Sequence, residues 1–200
     1  FLKKYIHQTV KIIPTKNTEN LSLDFFTIAE MLKSKGYVNA HVGKWHLGEK
    51  GHYPKDQGFD VNIGGWESGG PRGGYFSPYS NPNLENGPED EYLTDRLTKE
   101  AVNFIDDNKD SKFFLHLAFY SVHTPIQSKK EYSNYFKNKP SDKNHNRADY
   151  AGMIRSLDEN VGKVLSKIEE LNLILDTTHL CDISFWETLE IYNGPIMGKS

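Results

Sequence analysis

Hydrophobic positions along the chain follow two periods. Tyr37-Val38-Asn39-Ala40-His41-Val42 alternates, so it reads as a strand with Val38, Ala40 and Val42 on one face. Just upstream, Phe25, Ile28, Ala29 and Leu32 recur at helical spacing, with Asp24 or Thr27 as N-cap and Gly36 as the stop. Tyr92 to Asp107 repeats the helical pattern, with Leu93, Leu97, Ala101, Phe104 and Ile105 inward. Phe113-Phe114-Leu115-His116-Leu117-Ala118-Phe119-Tyr120 is almost continuously apolar, as expected of a strand buried on both faces of a parallel sheet. His116 within it reads as a core histidine, not a catalytic one. A long helix from Ala148 to about Leu171 presents Ile154, Leu157, Val161, Val164, Leu165, Ile168 and Leu171 as its inner face. Strands and helices alternate along the chain, which predicts an α/β fold.

Three stretches lack a steady period. Residues 1–22 hold only a short strand candidate, Val10-Lys11-Ile12-Ile13, ended by Pro14. Residues 49–90 are rich in Gly, Pro, Asn and Ser, and read as one long loop. Its aromatics (Tyr53, Trp66, Tyr75, Phe76, Tyr79) and one Arg either line a sugar or aryl pocket or pin the loop down, and pinning is favoured residue by residue. Residues 126–147 carry five Lys and read as an exposed polar insertion.

Composition narrows the function. Two hundred residues suffice for one sizeable core. A formal net charge of -3 gives no reason to expect nucleic acid as a partner. No apolar run approaches the ~20 residues of a membrane span, and the first residues lack the apolar stretch of a signal peptide. A single cysteine, Cys181, excludes an internal disulfide. The chain has no initiator Met and reads as a piece of something longer.

The chemistry concentrates in Gly43-Lys44-Trp45-His46-Leu47-Gly48. If the backbone stays extended past Val42, Lys44 and His46 point one way and Trp45 the other, which sets an ammonium beside an imidazole at a strand end. A cation next to a proton-transfer group suits an anionic ester. His123, in Ser121-Val122-His123-Thr124-Pro125, follows the second strand in the same manner. In open α/β sheets ligands bind beyond the carboxyl ends of the strands, and Lys44, His46 and His123 all fall there.

The hexapeptide resembles the signature of sulfatases of the alkaline-phosphatase-like superfamily, and its neighbours match as well. They are Thr27 to Tyr37, Gly58-Phe59-Asp60, Tyr92-Leu93-Thr94-Asp95, His123-Thr124-Pro125 and Tyr150-Ala151-Gly152-Met153 with Leu157-Asp158 and Val161-Gly162. The resemblance runs from roughly residue 20 to 176 and implies a partial alkaline-phosphatase-like domain, a predominantly parallel sheet flanked by helices, over 1–200. It implies that Lys44 contacts sulfate, that His46 hydrogen-bonds the nucleophile and helps turn over the covalent intermediate, and that His123 supports sulfate and leaving group. Asn193-Gly194-Pro195-Ile196-Met197-Gly198-Lys199 looks like the family's later sulfate-contacting segment, which makes Lys199 a fourth candidate. The implied substrate is a sulfated small molecule or glycan, the implied cofactor calcium, and the implied setting export or the lysosome.

Two family features find no match here. The Asp-Asp metal pair and the Cys- or Ser-x-Pro-Ser-Arg segment, source of the formylglycine nucleophile, are expected before Phe1. Residues 179–188 depart from the family's Ser-Asp-Asn-Gly or Asp-His-Gly metal motif, through a frameshift or real divergence, so no metal ligand is assigned and Cys181 reads as an ordinary thiol. The chain by itself is expected to show no turnover. Two alternatives remain: a phosphodiester or phosphonate hydrolase of the same superfamily, and a non-catalytic remnant that binds sulfated glycans.

Overall fold

The computed structural model describes residues 17–144, 146–173, 175–176, 190 and 196–197. Val10 to Ile13, Cys181 and Lys199 lie outside these. In order come α1 (Ile28–Lys33), β1 (Val38–Gly43), β2 (Val61–Ile63), α2 (Leu93–Asp107), β3 (Phe113–Ala118), α3 (Lys130–Lys137), α4 (Ala148–Glu170), β4 (Leu175–Asp176) and β5 (Ile196–Met197). The main sheet has the order β2-β1-β3 and is wholly parallel, with Ala40 opposite Val61 and Leu115. β4 and β5 form a separate parallel pair. No described helix is long and apolar enough to cross a membrane.

Each face of β1 has its own cover. Val42 packs with Leu93 and Leu97 of α2, Tyr75, Tyr92, Tyr120 and Met153 in the larger core. Asn39 points the other way, and its side-chain amide donates to the carbonyl of Ala29 in α1 at 2.6 Å. Successive strand residues face opposite sides, so α1 and α2 cover opposite faces, and His41 and Trp45 belong to the α1 side.

Five expectations need correction. α1 starts at Thr27, whose hydroxyl and the Glu30 carboxylate form a capping box, but Phe25 and Ile28 are 63% and 59% exposed. A six-residue helix reaches the sheet only through Ala29, with Leu32 partly buried. β3 is an edge strand among the described residues and only half-buried, and His116 reaches solvent rather than the core. The stretch 49–90 contains a 3-10 turn, Pro54–Gln57, and the strand β2. The polar stretch 126–147 contains α3, held to α4 where Ser133 donates to Asp149 at 2.5 Å and Tyr132 bonds Glu159. Finally, α4 buries Gly152, Met153, Ser156 and Asn160, while Ile154 and Val161 are exposed. Close packing explains that choice: a Cβ on Gly152 would lie 2.1 Å from Ser128 Oγ, so this face must be small. Val164 and Ile168 do turn inward, lining an apolar groove with Ile105, Leu115 and Leu117.

Candidate active site

β1 and β3 end level, Gly43 opposite Ala118, and the Lys44 amide extends the ladder by donating to the Ala118 carbonyl at 2.7 Å. The extended backbone does not persist through the motif, as the sequence pattern assumes. Gly43 has φ +107° and His46 φ +60°, so the chain turns over the sheet edge. What sets His46 is a second segment: its amide donates to the Trp66 carbonyl at 3.0 Å. Trp45 does point away, into the cluster of Ala29 and Phe59, with its indole N–H on the His52 carbonyl at 2.9 Å.

The loop that follows Trp66 brings the two exposed histidines together. A Cβ built on Gly69 would lie 2.5 Å from Nδ1 of His46, and one built on Gly70 2.8 Å from Nδ1 of His123. Consecutive residues therefore pack closely against the two imidazoles. His123 is held from below by Tyr75, whose hydroxyl donates to the carbonyls of Tyr120 (2.8 Å) and His123 (2.9 Å). Burial pushes the Tyr75 hydroxyl up to about 12, so it stays a donor. Nδ1 of His123 lies 2.7 Å from the Thr124 carbonyl and must carry the proton there, which leaves Nε2 as the working nitrogen. Lys44 is partly exposed, and among the described residues no carboxylate pairs with it.

Arg72, in the same loop as the glycine pair, is exposed, with its guanidinium 5.0 Å from the centroid of the Trp66 ring. Tyr53 donates to Glu67 at 2.5 Å, and with Arg72 nearby this holds the Glu67 carboxyl below the ordinary range. Trp66, Tyr75 and Tyr79 are buried, so these aromatics pin the loop rather than line an open pocket. The sequence pattern gives Gly69 and Gly70 no role at the site and Tyr75 only that of pinning the loop; the available signal is a glycine pair inside a loop anchored by aromatics. Among the described residues no group of three or more His, Cys, Asp or Glu could hold a metal ion. Calcium therefore has no ligand set among the described residues.

The family model described as Sulfatase matches residues 3–178. The chain belongs to the sulfatase family. Curated relatives include an N-acetylgalactosamine-6-sulfatase of Mus musculus, 29% identical over 75% of this chain and 31% of its own length. An arylsulfatase of Hemicentrotus pulcherrimus is 30% identical over 76% of this chain and 30% of its own. The chain spans about a third of the length of these relatives. Among solved structures, Ps i-CgsB in complex with k-i-k-neocarrahexaose aligns with a TM-score of 0.62 at 31% identity, over 80% of this chain and 40% of that one. A structure in complex with D-glucosamine-2-N,6-O-disulfate aligns at 0.53 and 17% identity, covering 76% and 48%, which shows the shared fold alone. The chain has the α/β alkaline-phosphatase-like fold of the sulfatases.

The glycine pair yields a prediction. Gly69→Ala and Gly70→Ala are each expected to leave stability within about 1 kcal/mol, because exposed rings can swing outward. The imidazole signals of His46 and His123, respectively, are expected to shift in NMR spectra. Unchanged ring signals would mean the loop yields instead of the histidines.

Proposed function

We propose that this chain is the central part of a sulfatase catalytic domain whose parent enzyme hydrolyses a sulfate monoester of a carbohydrate, giving the alcohol and inorganic sulfate with uptake of one water. The observation that supports this reading is that Lys44 and His46 follow β1 and His123 follows β3 at the carboxyl ends of adjacent parallel strands, with both histidines against one glycine pair. Lys44 holds a sulfate oxygen as a compact positive charge. His46 hydrogen-bonds the nucleophile and moves protons in turnover. His123, through Nε2, supports the sulfate and the leaving oxygen. Lys199 is assigned a further sulfate contact, on sequence grounds alone.

The nucleophile, a formylglycine in the parent, and the calcium site are assigned to residues other than those described. The carbohydrate part is supported by the relatives named N-acetylgalactosamine-6-sulfatase and by the neighbour solved with a neocarrahexaose. Arg72, an exposed cation of the loop whose Gly69 and Gly70 pack on the histidines, is assigned to the glycan side of that substrate. Export or lysosomal delivery suits such a substrate.

The test is a titration of the purified chain with inorganic sulfate and with an aryl sulfate, followed by NMR. Shifts are expected at Lys44, His46, Gly69, Gly70 and His123. Lys44→Ala is expected to weaken binding about tenfold to a hundredfold, the usual worth of a hydrogen bond to a charged group. Binding that ignores Lys44, or shifts confined to another surface, would remove this reading.

A further inference from the structure

On the α1 side of the sheet, directly below the Lys44 to His46 segment, lies a second pair of histidines that the proposed reaction does not use. His41 of β1 and His116 of β3 are cross-strand partners, and their Nδ1 atoms are 3.0 Å apart. His41 is fully buried, while His116 reaches solvent. Nε2 of His41 lies 3.2 Å from the carbonyl of Gly43.

These contacts fix the tautomers. A carbonyl only accepts, so His41 carries its proton on Nε2. A neutral imidazole has one N–H, so Nδ1 of His41 is an acceptor. His116 must then donate through Nδ1–H, and its lone pair sits on Nε2. The result is a one-way chain, from His116 to His41 to the Gly43 carbonyl, which ends next to Lys44. A proton added to Nε2 of His116 keeps every donor in place. A proton added to Nδ1 of His41 sets two N–H groups against each other and breaks the chain.

The surroundings of His41 disfavour a cation more strongly than its contacts to the Gly43 and Lys44 backbone favour one. Its ring makes T-shaped contacts with Trp45 (5.2 Å between centroids) and Phe59 (5.7 Å), and its Cδ2 lies 2.7 Å from where a Cβ on Gly65 would be. Of the acids on the neighbouring elements, Glu30 of α1 holds the Thr27 amide, and Asp60 binds Lys33 and the Asn39 amide. Among the described residues His116 is the charge that acts on it, and is of the wrong sign. Burial first, and His116 second, press His41 down to about 4, and burial also lowers His116.

We infer that His41 and His116 are a positioning pair for the sulfate-handling segment: the neutral His41 anchors the Gly43 carbonyl and the Trp45 ring, and so places Lys44 and His46 at the sheet edge. Neither histidine touches substrate. The inference rests on the proposed roles of Lys44 and His46.

The experiment is nitrogen-15 NMR of the imidazoles and of the Gly43 to His46 amides, against pH, in the whole chain. His41 is expected as the Nε2–H tautomer with no titration above pH 5, and His116 as Nδ1–H. The amides are expected to shift as His116 titrates. His116→Phe removes the donor, so the amides should move at neutral pH and lose that pH dependence. His116→Asn can still donate, and is expected to restore the neutral-pH positions without the pH dependence. A His41 Nδ1–H tautomer, a His41 titration near 6.5, or amides indifferent to His116→Phe would overturn the inference. Adding an aryl sulfate separates the two readings. If Lys44 and His46 ignore the ester while the pair behaves as described, the sulfatase reading fails and the pair stands as a structural link. If they respond while the amides ignore His116, only the pair fails.

Discussion

Gly43→Ala is expected to destabilise the folded chain by about 4 kcal/mol, a large fraction of the roughly 5–15 kcal/mol that holds a folded domain together. Two costs combine at this position. The backbone has φ +107°, where an L side chain is strained by about 1–3 kcal/mol. An added Cβ would also fall 2.0 Å from the carbonyl oxygen of Ala118 and 2.8 Å from its carbon. That obstacle is backbone, locked into the β1–β3 ladder by the Lys44 amide, and overpacking of this kind costs a further 1–3 kcal/mol. Gly36→Ala is the control, because φ there is +79° but no atom lies within 4 Å of the added Cβ. It should cost only the backbone term, about 1–2 kcal/mol. Urea denaturation of the two variants checks this. A Gly43→Ala loss no larger than that of Gly36→Ala would show that the strand ends separate easily and that the edge is not a rigid platform for Lys44.

The same position explains why the candidate site's place at the strand ends is legible in sequence while its geometry is not. Val38, Ala40 and Val42 announce β1 because one face of it is truly apolar, and Leu93, Leu97, Ala101, Phe104 and Ile105 announce α2 because all five are buried. Lys44, His46 and His123 could then be placed at strand ends by counting along the chain. Two features were hidden. Alternation predicted that Lys44 and His46 share a side, yet the turn begins at Gly43, and His46 owes its place to the Trp66 carbonyl. The glycines that lie on the imidazoles are twenty or more residues away in sequence, and glycine carries no pattern to reveal a contact. β2 was invisible because three residues, Val61-Asn62-Ile63, are too few to display a period. α3 was missed because it is held by polar and cation–aromatic contacts, such as Arg155 over Tyr132 at 4.6 Å, and not by an apolar stripe.

His116 was misread for an instructive reason. Its strand is apolar enough for a fully buried position, but the described residues leave β3 at the edge, so only one neighbour, His41, covers it in the sheet. The exposed partner can exchange protons with solvent while the buried one cannot hold a charge. That asymmetry turns two adjacent histidines into a source of acid sensitivity.

Stability is accordingly expected to fall as pH drops from 6.5 toward 4, by roughly 3 kcal/mol from His41 alone. The sign follows from proton counting. His41 has its pKa lowered from 6.5 to about 4 in the folded chain, by burial first and by His116 second. Between those values the unfolded chain binds a proton that the folded chain refuses, so stability rises with pH in this window and is lost on acidification. A depression of this size is worth about 3 kcal/mol. Carboxylates with lowered values, Glu67 and Glu159 among them, add to the acid loss only below their ordinary value of 4.5. The window above 4.5 therefore reports mainly on the histidines. Urea midpoints measured from pH 7 to 4.5 are expected to fall steadily in the native chain and to flatten in His41→Gln, which cannot take up the proton in either state. If the native profile is already flat between pH 6.5 and 5, His41 is charged in the folded chain, and the buried pair cannot be the neutral link drawn here.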